Sequence, residues 1–238
     1  MKFELLRTFR NRRYFILTFG FPLVLYFLVA APNRHDQDFG GSGLSAPLYY
    51  MTGLAAFGTM GAMLSAGGKI ATERSVGWNR QLRITPLTTR AYFRAKIVTA
   101  YITAIVSLLL LYVAGSILGV RLSASSWLQM TLLILVGLIP FGALAILFGH
   151  LLTPDSIGPA MGGSVALLAF LGGTWFPITG GVMAQIARLL PSYWLVRASH
   201  VALGGSGWGA RGWITVGIWT VVLTALAGRA YRRDTARA

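Results

Sequence analysis

The sequence predicts an all-α polytopic membrane protein, because of its composition, six long apolar runs and the distribution of its basic residues. Of 238 residues, 55% are hydrophobic and only 11% are charged, and the mean hydropathy is +0.65. A soluble core could not bury that much apolar surface. The 29 glycines are typical of helices that pack closely in lipid. No internal repeat or low-complexity segment is evident, so residues 1–238 are predicted to form a single transmembrane domain.

Six apolar runs are long enough to cross a bilayer core, which needs roughly 20 residues per helix. The predicted spans are approximately residues 14–31, 47–67, 97–119, 127–149, 157–176 and 212–229. The first run could be mistaken for a signal peptide, because basic residues precede it and Val29-Ala30-Ala31 resembles a cleavage site. Its apolar run is longer than a signal core, and Pro32 should hinder cleavage. We therefore predict an uncleaved first helix.

The basic residues predict the orientation of the chain. Sixteen of the 21 Lys and Arg lie at the two termini and in the loop after the second span, and only five lie in the other connections. The positive-inside rule therefore places both termini in the cytoplasm. The net charge of +15 does not indicate nucleic-acid binding, because the positive residues form short patches between apolar runs.

Residues 1–13 are predicted to form an interfacial helix before the first span. Its apolar residues share one helical face, and its basic residues lie elsewhere, as in helices that lie in the headgroup plane. The apolar face is Phe3, Leu5, Leu6 and Phe9, and the basic residues include Lys2, Arg7, Arg10 and Arg13. The alternative is a basic tail that only sets topology.

The loop 69–96 is the most informative segment. It carries seven basic residues against one acid, Glu73: Lys69, Arg74, Arg80, Arg83, Arg90, Arg94 and Lys96. We predict a short surface helix over 69–82, which Pro86 ends, and a second helix capped by Thr88 or Thr89 that enters the third span. The arrangement favours a docking surface for a cytoplasmic partner over a solvated loop that only fixes topology.

The spans contain no Asp, Glu, Lys or Arg in their interiors, which argues against ion-coupled carriers and charged channel filters. There are no cysteines, and Glu73, His150, Asp155 and His200 are too scattered in sequence to suggest a metal site or an acid/base pair. No phosphate-binding Gly-rich loop with Lys-Ser/Thr is present, so energy for uphill transport must come from a partner. An intramembrane enzyme built on Ser164 as nucleophile is also disfavoured, because no plausible base lies in the spans.

Small residues recur at four-residue spacing on the fifth span, at Gly158, Gly162 and Ala166. This pattern lets two helices approach closely and predicts a helix–helix or subunit contact. The following connection, 177–211, is long and rich in Gly and Pro. Ile186, Ala187, Leu189 and Leu190 indicate a short helix, and short re-entrant helices there would satisfy their backbone against protein.

Several of these stretches, in this order, resemble the membrane subunit of ABC-2 type transporters, most closely permeases of the daunorubicin-exporter type. They are the basic N-terminal helix, Glu73-Arg74-x-x-Gly77, Leu82-Arg83-x-Thr85-Pro86-Leu87, Gly173-x-x-Phe176-Pro177 and Leu190-Pro191-x-x-Trp194. The resemblance extends over essentially the whole chain.

The resemblance implies that the loop after the second span forms a coupling helix on a separate ATPase subunit. The residues at that contact would be Glu73, Arg74, Gly77, Arg83, Thr85, Pro86 and Leu87, and Arg7, Arg10 and Arg13 would lie on the interface helix. Two permeases, expected as a homodimer, and two ATPases would make the transporter in a bacterial inner membrane. ATP and Mg²⁺ would bind the ATPase, so this chain is expected to be neither an enzyme nor a cofactor-binding protein.

The cargo is predicted from the uncharged spans as an amphipathic drug, natural product or lipid. Five aromatic side chains and one methionine scattered through the spans give a weak indication of the path: Tyr49, Tyr50, Phe57, Met60, Phe170 and Trp175. Stacking of sugars on aromatic residues keeps a polysaccharide or lipid-linked glycan exporter as an alternative. A membrane scaffold or sensor that recruits a soluble partner is a further alternative.

Overall fold

The computed structural model describes residues 10–11, 15–77, 88–203 and 207–236, and all the regular secondary structure in these ranges is helical. A π-helical turn, Ile16–Gly20, leads into α1, and short 3₁₀ segments occupy Phe39–Gly41 and Ala198–Leu203. The α-helices are α1 (Phe21–Ala30), α2 (Ala46–Ser75), α3 (Thr89–Ile117), α4 (Ala124–Gly137), α5 (Ile139–Leu151), α6 (Pro154–Leu171), α7 (Gly181–Ala187), α8 (Pro191–Arg197) and α9 (Ala210–Ala236).

The helices begin where the sequence supplies start signals. Thr88 caps α3, where its hydroxyl accepts a hydrogen bond from the backbone N–H of Ala91 at 3.3 Å, which confirms one of the two predicted caps. Ser123 caps α4 in the same way, accepting from Ser126 at 3.2 Å. Proline occupies the first turn of α1, α2, α5, α6 and α8, where its missing N–H costs no helical hydrogen bond.

The central element is α2, which packs against α1, α3, α5 and α6 and is buried along most of its length. Glycines bring its backbone close to its neighbours. A Cβ added at Gly53 would lie 2.6 Å from the carbonyl oxygen of Thr174, and one added at Gly67 would lie 2.5 Å from that of Ala145. Because protein surrounds α2, small residues suit it better than strongly apolar ones.

The predicted fourth span is two α-helices rather than one. Helices α4 and α5 meet at Leu138, two residues before Pro140. Proline lacks the N–H that would continue the hydrogen-bond ladder, and its ring crowds the preceding turn, so the interruption at Leu138 has a local cause.

Within the described ranges, three helical stretches are long and apolar enough to cross a membrane by length and composition: Arg90–Ile117, Ala124–Leu151 across the interruption at Leu138, and Ala210–Asp234. The stretch Ile16–Ala30 is apolar but shorter. The predicted fifth span, 157–176, is too long at its end, because α6 stops at Leu171 and Gly173 adopts a positive φ of 80° in the turn that follows.

The prediction of a surface helix over 69–82 is wrong in its first half. Residues Lys69 to Ser75 are the last two turns of α2, and the helix ends in a turn at Val76 and Gly77, where φ is +73°. Glycine is the residue that adopts this backbone conformation without strain. The rest of the predicted helix, residues 78–82, lies outside the described residues.

The long helices run back and forth between two ends of the bundle. Tyr49 near the start of α2 lies beside Gly173, and Arg74 near its finish contacts Leu152 and Asp234. At a rise of 1.5 Å per residue, these two positions are roughly 38 Å apart along α2. We refer to them as the Tyr49 end and the Arg74 end.

Candidate functional site

The candidate site is a group of six polar side chains at the Arg74 end: Glu73, Arg74, Tyr92, Lys96, His150 and Asp234. We call it the Glu73–Arg74 cluster. It joins four helices, because α2 contributes Glu73 and Arg74, α3 contributes Tyr92 and Lys96, α5 contributes His150 and α9 contributes Asp234.

Glu73 attaches α2 to α3. Its carboxylate accepts a hydrogen bond from the Lys96 ammonium at 2.5 Å and another from the Tyr92 hydroxyl at 2.7 Å. The Lys96 side chain is only 4% exposed. A buried ammonium is costly unless a carboxylate compensates it, so the position of Glu73 follows from the burial of Lys96.

Arg74, the next residue, attaches α2 to α5 and α9. Its guanidinium donates to the carbonyl oxygen of His150 and, at 2.6 Å, to that of Leu152. These carbonyls lie at the C-terminus of α5, where the last turn lacks intrahelical donors and the helix dipole favours a cation. A guanidinium nitrogen of Arg74 also lies 3.6 Å from a carboxylate oxygen of Asp234.

His150 completes the contact with α9. Its Nδ1 lies 2.9 Å from Oδ2 of Asp234, and because an ionised carboxylate only accepts, the imidazole is the donor. The imidazole packs edge-on against Phe93 of α3 and Tyr231 of α9, with ring centroids 5.8 and 5.3 Å away. The histidine thus packs between one ring from α3 and one from α9.

The structure places the predicted coupling residues unevenly. Glu73 and Arg74 are engaged in contacts within the bundle, and Gly77 forms the turn that follows α2. Arg10 is exposed. The remaining predicted residues of the coupling loop and interface helix lie outside the described residues: Arg7, Arg13, Arg83, Thr85, Pro86 and Leu87.

The sequence reasoning missed Asp234 and the structural role of Lys96. Asp234 stands within a basic C-terminal tail, yet the chain has only six acids, and a lone acid among arginines is a signal of pairing. His150 is distant in sequence from the other polar groups, but the fold brings it next to Asp234, 84 residues further along the chain.

The small-residue stripe of α6 faces outward. Gly158, Gly162 and Ala166 are exposed, and a Cβ added at either glycine would meet no described atom within 4 Å. Within the described part of the chain, therefore, no helix packs closely on the stripe.

The aromatic residues proposed for the cargo path fall into separate places. Tyr49 and Tyr50 contact each other at 6.0 Å between ring centroids, and Phe57 lies 5.8 Å from Trp175. Met60 is fully buried among the helices. Phe170 is 53% exposed on the outer surface of α6, away from both pairs.

Apolar helices of membrane-spanning length, with most of their ionic contacts gathered at one end, define a multi-pass membrane protein. The sequence matches the family described as ABC-2 family transporter protein over residues 31–229, and the chain belongs to this family. It is 28% identical over 197 residues to YvfS of Bacillus subtilis (strain 168), a protein named as a transport permease; the alignment covers 80% of this chain and 78% of YvfS. No solved structure matches the chain significantly.

The family and this relative make the chain a membrane transporter permease. Permeases of this family normally work with an ATPase partner.

Proposed function

We propose that the chain is the permease subunit of an ATP-driven exporter for an amphipathic drug, natural product or lipid. Two permeases form the pathway, and two separate ATPase subunits bind ATP and Mg²⁺. Six spans place both termini and the Arg74 end on the cytoplasmic side, as the distribution of Lys and Arg favours.

The observation that carries the proposal is the position of the Glu73–Arg74 cluster. It immediately precedes the turn at Val76 and Gly77, from which the chain enters the segment 78–87 that would dock on the ATPase. Glu73 bonds to α3, and Arg74 bonds to α5 and contacts α9. A displacement of the docked segment would therefore act on several long helices at once, which suits a subunit that receives its energy mechanically.

The small-residue stripe on α6 supports a pathway between two copies. Gly158, Gly162 and Ala166 leave a shallow outward face on which a second helix could approach closely. We propose that this face contacts the second permease, with α6 next to the dimer axis.

The experiment is reconstitution of the permease with its ATPase in lipid vesicles, followed by ATP-dependent uptake of a fluorescent amphiphile into inside-out vesicles. Two variants disturb the proposed coupling, Glu73→Gln at the cluster and Arg83→Glu in the docking segment. Arg121→Gln is the matched control, because Arg121 is exposed in the turn between α3 and α4, at the other end of α3 from Lys96.

We expect Arg83→Glu to weaken assembly with the ATPase. We expect Glu73→Gln to lose stability, because Lys96 keeps no carboxylate partner, but to retain its contact with the ATPase and to transport more slowly per ATP hydrolysed, while Arg121→Gln matches the wild type. Wild-type transport and assembly in both coupling variants would refute the coupling assignment. Transport by the permease without any ATPase would refute the exporter proposal itself.

A further inference from the structure

The Tyr49 end contains a concave surface lined by arginines, which the transport proposal does not use. Two adjoining cavities, of about 220 and 530 Å³, share the wall formed by Arg188, Tyr193, Arg197 and His200. Arg211 at the start of α9 lines the larger one. We call this surface the arginine cavity. Its larger part falls within the range of about 300–1,000 Å³ that is usual for ligand sites.

The fold, rather than chance exposure, assembles the arginine cavity. Its walls come from the end of α7, from α8 and from the start of α9. The Trp194 indole donates to the Arg188 carbonyl oxygen at 3.1 Å, and the Trp208 indole donates to the Trp194 carbonyl oxygen at 2.6 Å. Trp219 of α9 donates to the carbonyl oxygen of Leu189 at 2.7 Å. Three tryptophans therefore fix the backbone that carries the arginines.

The cavity carries positive charge without a carboxylate to neutralise it. None of its described lining residues is acidic, and no carboxylate within the described ranges lies within 4.0 Å of Arg188, Arg197 or Arg211. Asp38, three residues before the lining residue Gly41, is directed to its own loop, where its carboxylate accepts from the backbone N–H of Gly43 at 2.7 Å.

Arg197 is held in place inside the cavity. Its guanidinium lies over the Tyr193 ring, 6.0 Å from the centroid, and a guanidinium nitrogen is 3.3 Å from the Tyr193 hydroxyl and 3.4 Å from Nε2 of His200. Burial, with a contribution from Arg197, lowers the pKa of His200 to about 4, so the imidazole is neutral at physiological pH and can accept from Arg197.

Apolar surface surrounds the cavity. Leu203, which lines it, is 53% exposed, and Leu189, adjacent to Arg188, is 67% exposed. The neighbouring helix α7 also presents Val182 and Ile186, which are 71% and 46% exposed. A ligand that fits both features has an anionic head and an apolar body.

We propose that the arginine cavity binds the phosphate headgroup of an anionic amphiphile, with its acyl chains lying on the apolar surface of α7. Guanidinium groups match phosphate oxygens with paired hydrogen bonds, and three of them suit a phosphate better than a single carboxylate. Both a membrane phospholipid and a free phosphate ion carry this chemistry, and the experiment below separates them.

The probe is phosphatidylglycerol, titrated onto the full-length permease in detergent and counted by native mass spectrometry. Phosphatidylcholine, whose phosphate is offset by choline, is the matched lipid. The protein forms are the wild type, Arg188→Gln, Arg211→Gln, the triple variant that also carries Arg197→Gln, and the control Arg121→Gln. No ATPase or ATP is present, so the result does not depend on the exporter proposal.

We expect phosphatidylglycerol to bind at least about tenfold more tightly than phosphatidylcholine, and each arginine substitution to weaken it about tenfold, the effect of one charge-assisted hydrogen bond. Arg121→Gln should match the wild type, and millimolar inorganic phosphate should not displace the lipid. If the triple variant unfolds, the single variants Arg188→Gln and Arg211→Gln, at exposed positions, still test the proposal.

Three results would overturn the proposal. They are equal binding of the two lipids, wild-type affinity in the folded arginine variants, and full displacement by inorganic phosphate, which would make this a site for a free anion.

Discussion

Replacement of Arg74 tests the structural account of the Glu73–Arg74 cluster most directly. Arg74→Gln removes two charge-assisted hydrogen bonds to the C-terminal carbonyls of α5 and one ion pair with Asp234. Asp234→Asn removes the same ion pair and weakens one hydrogen bond, from His150, for which the asparagine oxygen remains an acceptor. The two variants therefore differ chiefly in the contacts of Arg74 with α5.

The magnitudes follow from these contacts. A hydrogen bond to a charged group contributes about 1.5–3 kcal/mol, and a partly exposed ion pair contributes at most about 1 kcal/mol. The side chains of Arg74 and Asp234 are 20% and 24% exposed, so solvent weakens the pair between them. We expect Arg74→Gln to lower the free energy of unfolding by about 3 kcal/mol and Asp234→Asn by about 1–2 kcal/mol.

The assay is thermal unfolding in detergent, followed by the intrinsic fluorescence of the seven tryptophans. For a chain of this length, about 1 kcal/mol corresponds to roughly 2–4 °C in Tm, so the shifts should be about 6–12 °C for Arg74→Gln and about 2–8 °C for Asp234→Asn. Arg229→Gln, at an exposed position of α9, is the control for loss of one charge. A shift for Asp234→Asn equal to or larger than that for Arg74→Gln would refute the capping of α5 by Arg74.

Three further predictions follow from packing and burial. Gly67→Ala should lower Tm by several degrees, because the added Cβ would lie 2.5 Å from the Ala145 carbonyl oxygen. The control Gly162→Ala places its Cβ in open space and should leave Tm unchanged. Equal shifts in Tm would contradict the packing of α2 on α5. Gly162→Leu should abolish self-association in chemical cross-linking while Tm is retained, and an intact dimer would remove α6 from the subunit contact. Because burial lowers the pKa of His200 to about 4, its imidazole should stay neutral in ¹³C NMR spectra of labelled protein down to pH about 5. The free energy of unfolding should fall as pH drops from about 6.5 towards 4, because the unfolded chain then binds a proton that the folded chain does not. Titration of His200 near pH 6.5 would contradict the burial of the ring.

The helical class and most element positions follow from hydropathy and start signals in the sequence. Thr88 marks the start of α3, and the proline turns of α5, α6 and α8 are visible in the sequence. The end of α6 was misplaced, because residues 172–176 are apolar enough to continue a span. The backbone turns there at Gly173, and hydropathy does not report that turn.

The error over 69–82 has a different cause. The sequence becomes basic at Lys69, which suggests that the helix leaves the membrane there and that a new element begins. In the structure α2 continues for two turns, because Glu73 and Arg74 find partners on α3, α5 and α9. These partners are 19 to 160 residues away in sequence, so local patterns could not identify them.

The construction of α2 explains how one end of the bundle could influence the other. Close packing at Gly53 and Gly67 leaves no space for the helix to bend independently of α5 and the turn at Thr174. Its Arg74 end is fixed by ion pairs to α3 and α9 and by hydrogen bonds to carbonyl oxygens of α5, and its Tyr49 end hydrogen-bonds the turn after α6, next to the arginine cavity. A displacement at the Arg74 end would therefore move α2 as a rigid body and change the contact between Tyr49 and Gly173 roughly 38 Å away. A ligand in the arginine cavity would oppose that displacement if it bound α8 more tightly before the displacement, and would favour it if it bound α8 more tightly afterwards. Occupancy of the cavity and the position of the proposed docking segment should therefore be thermodynamically linked.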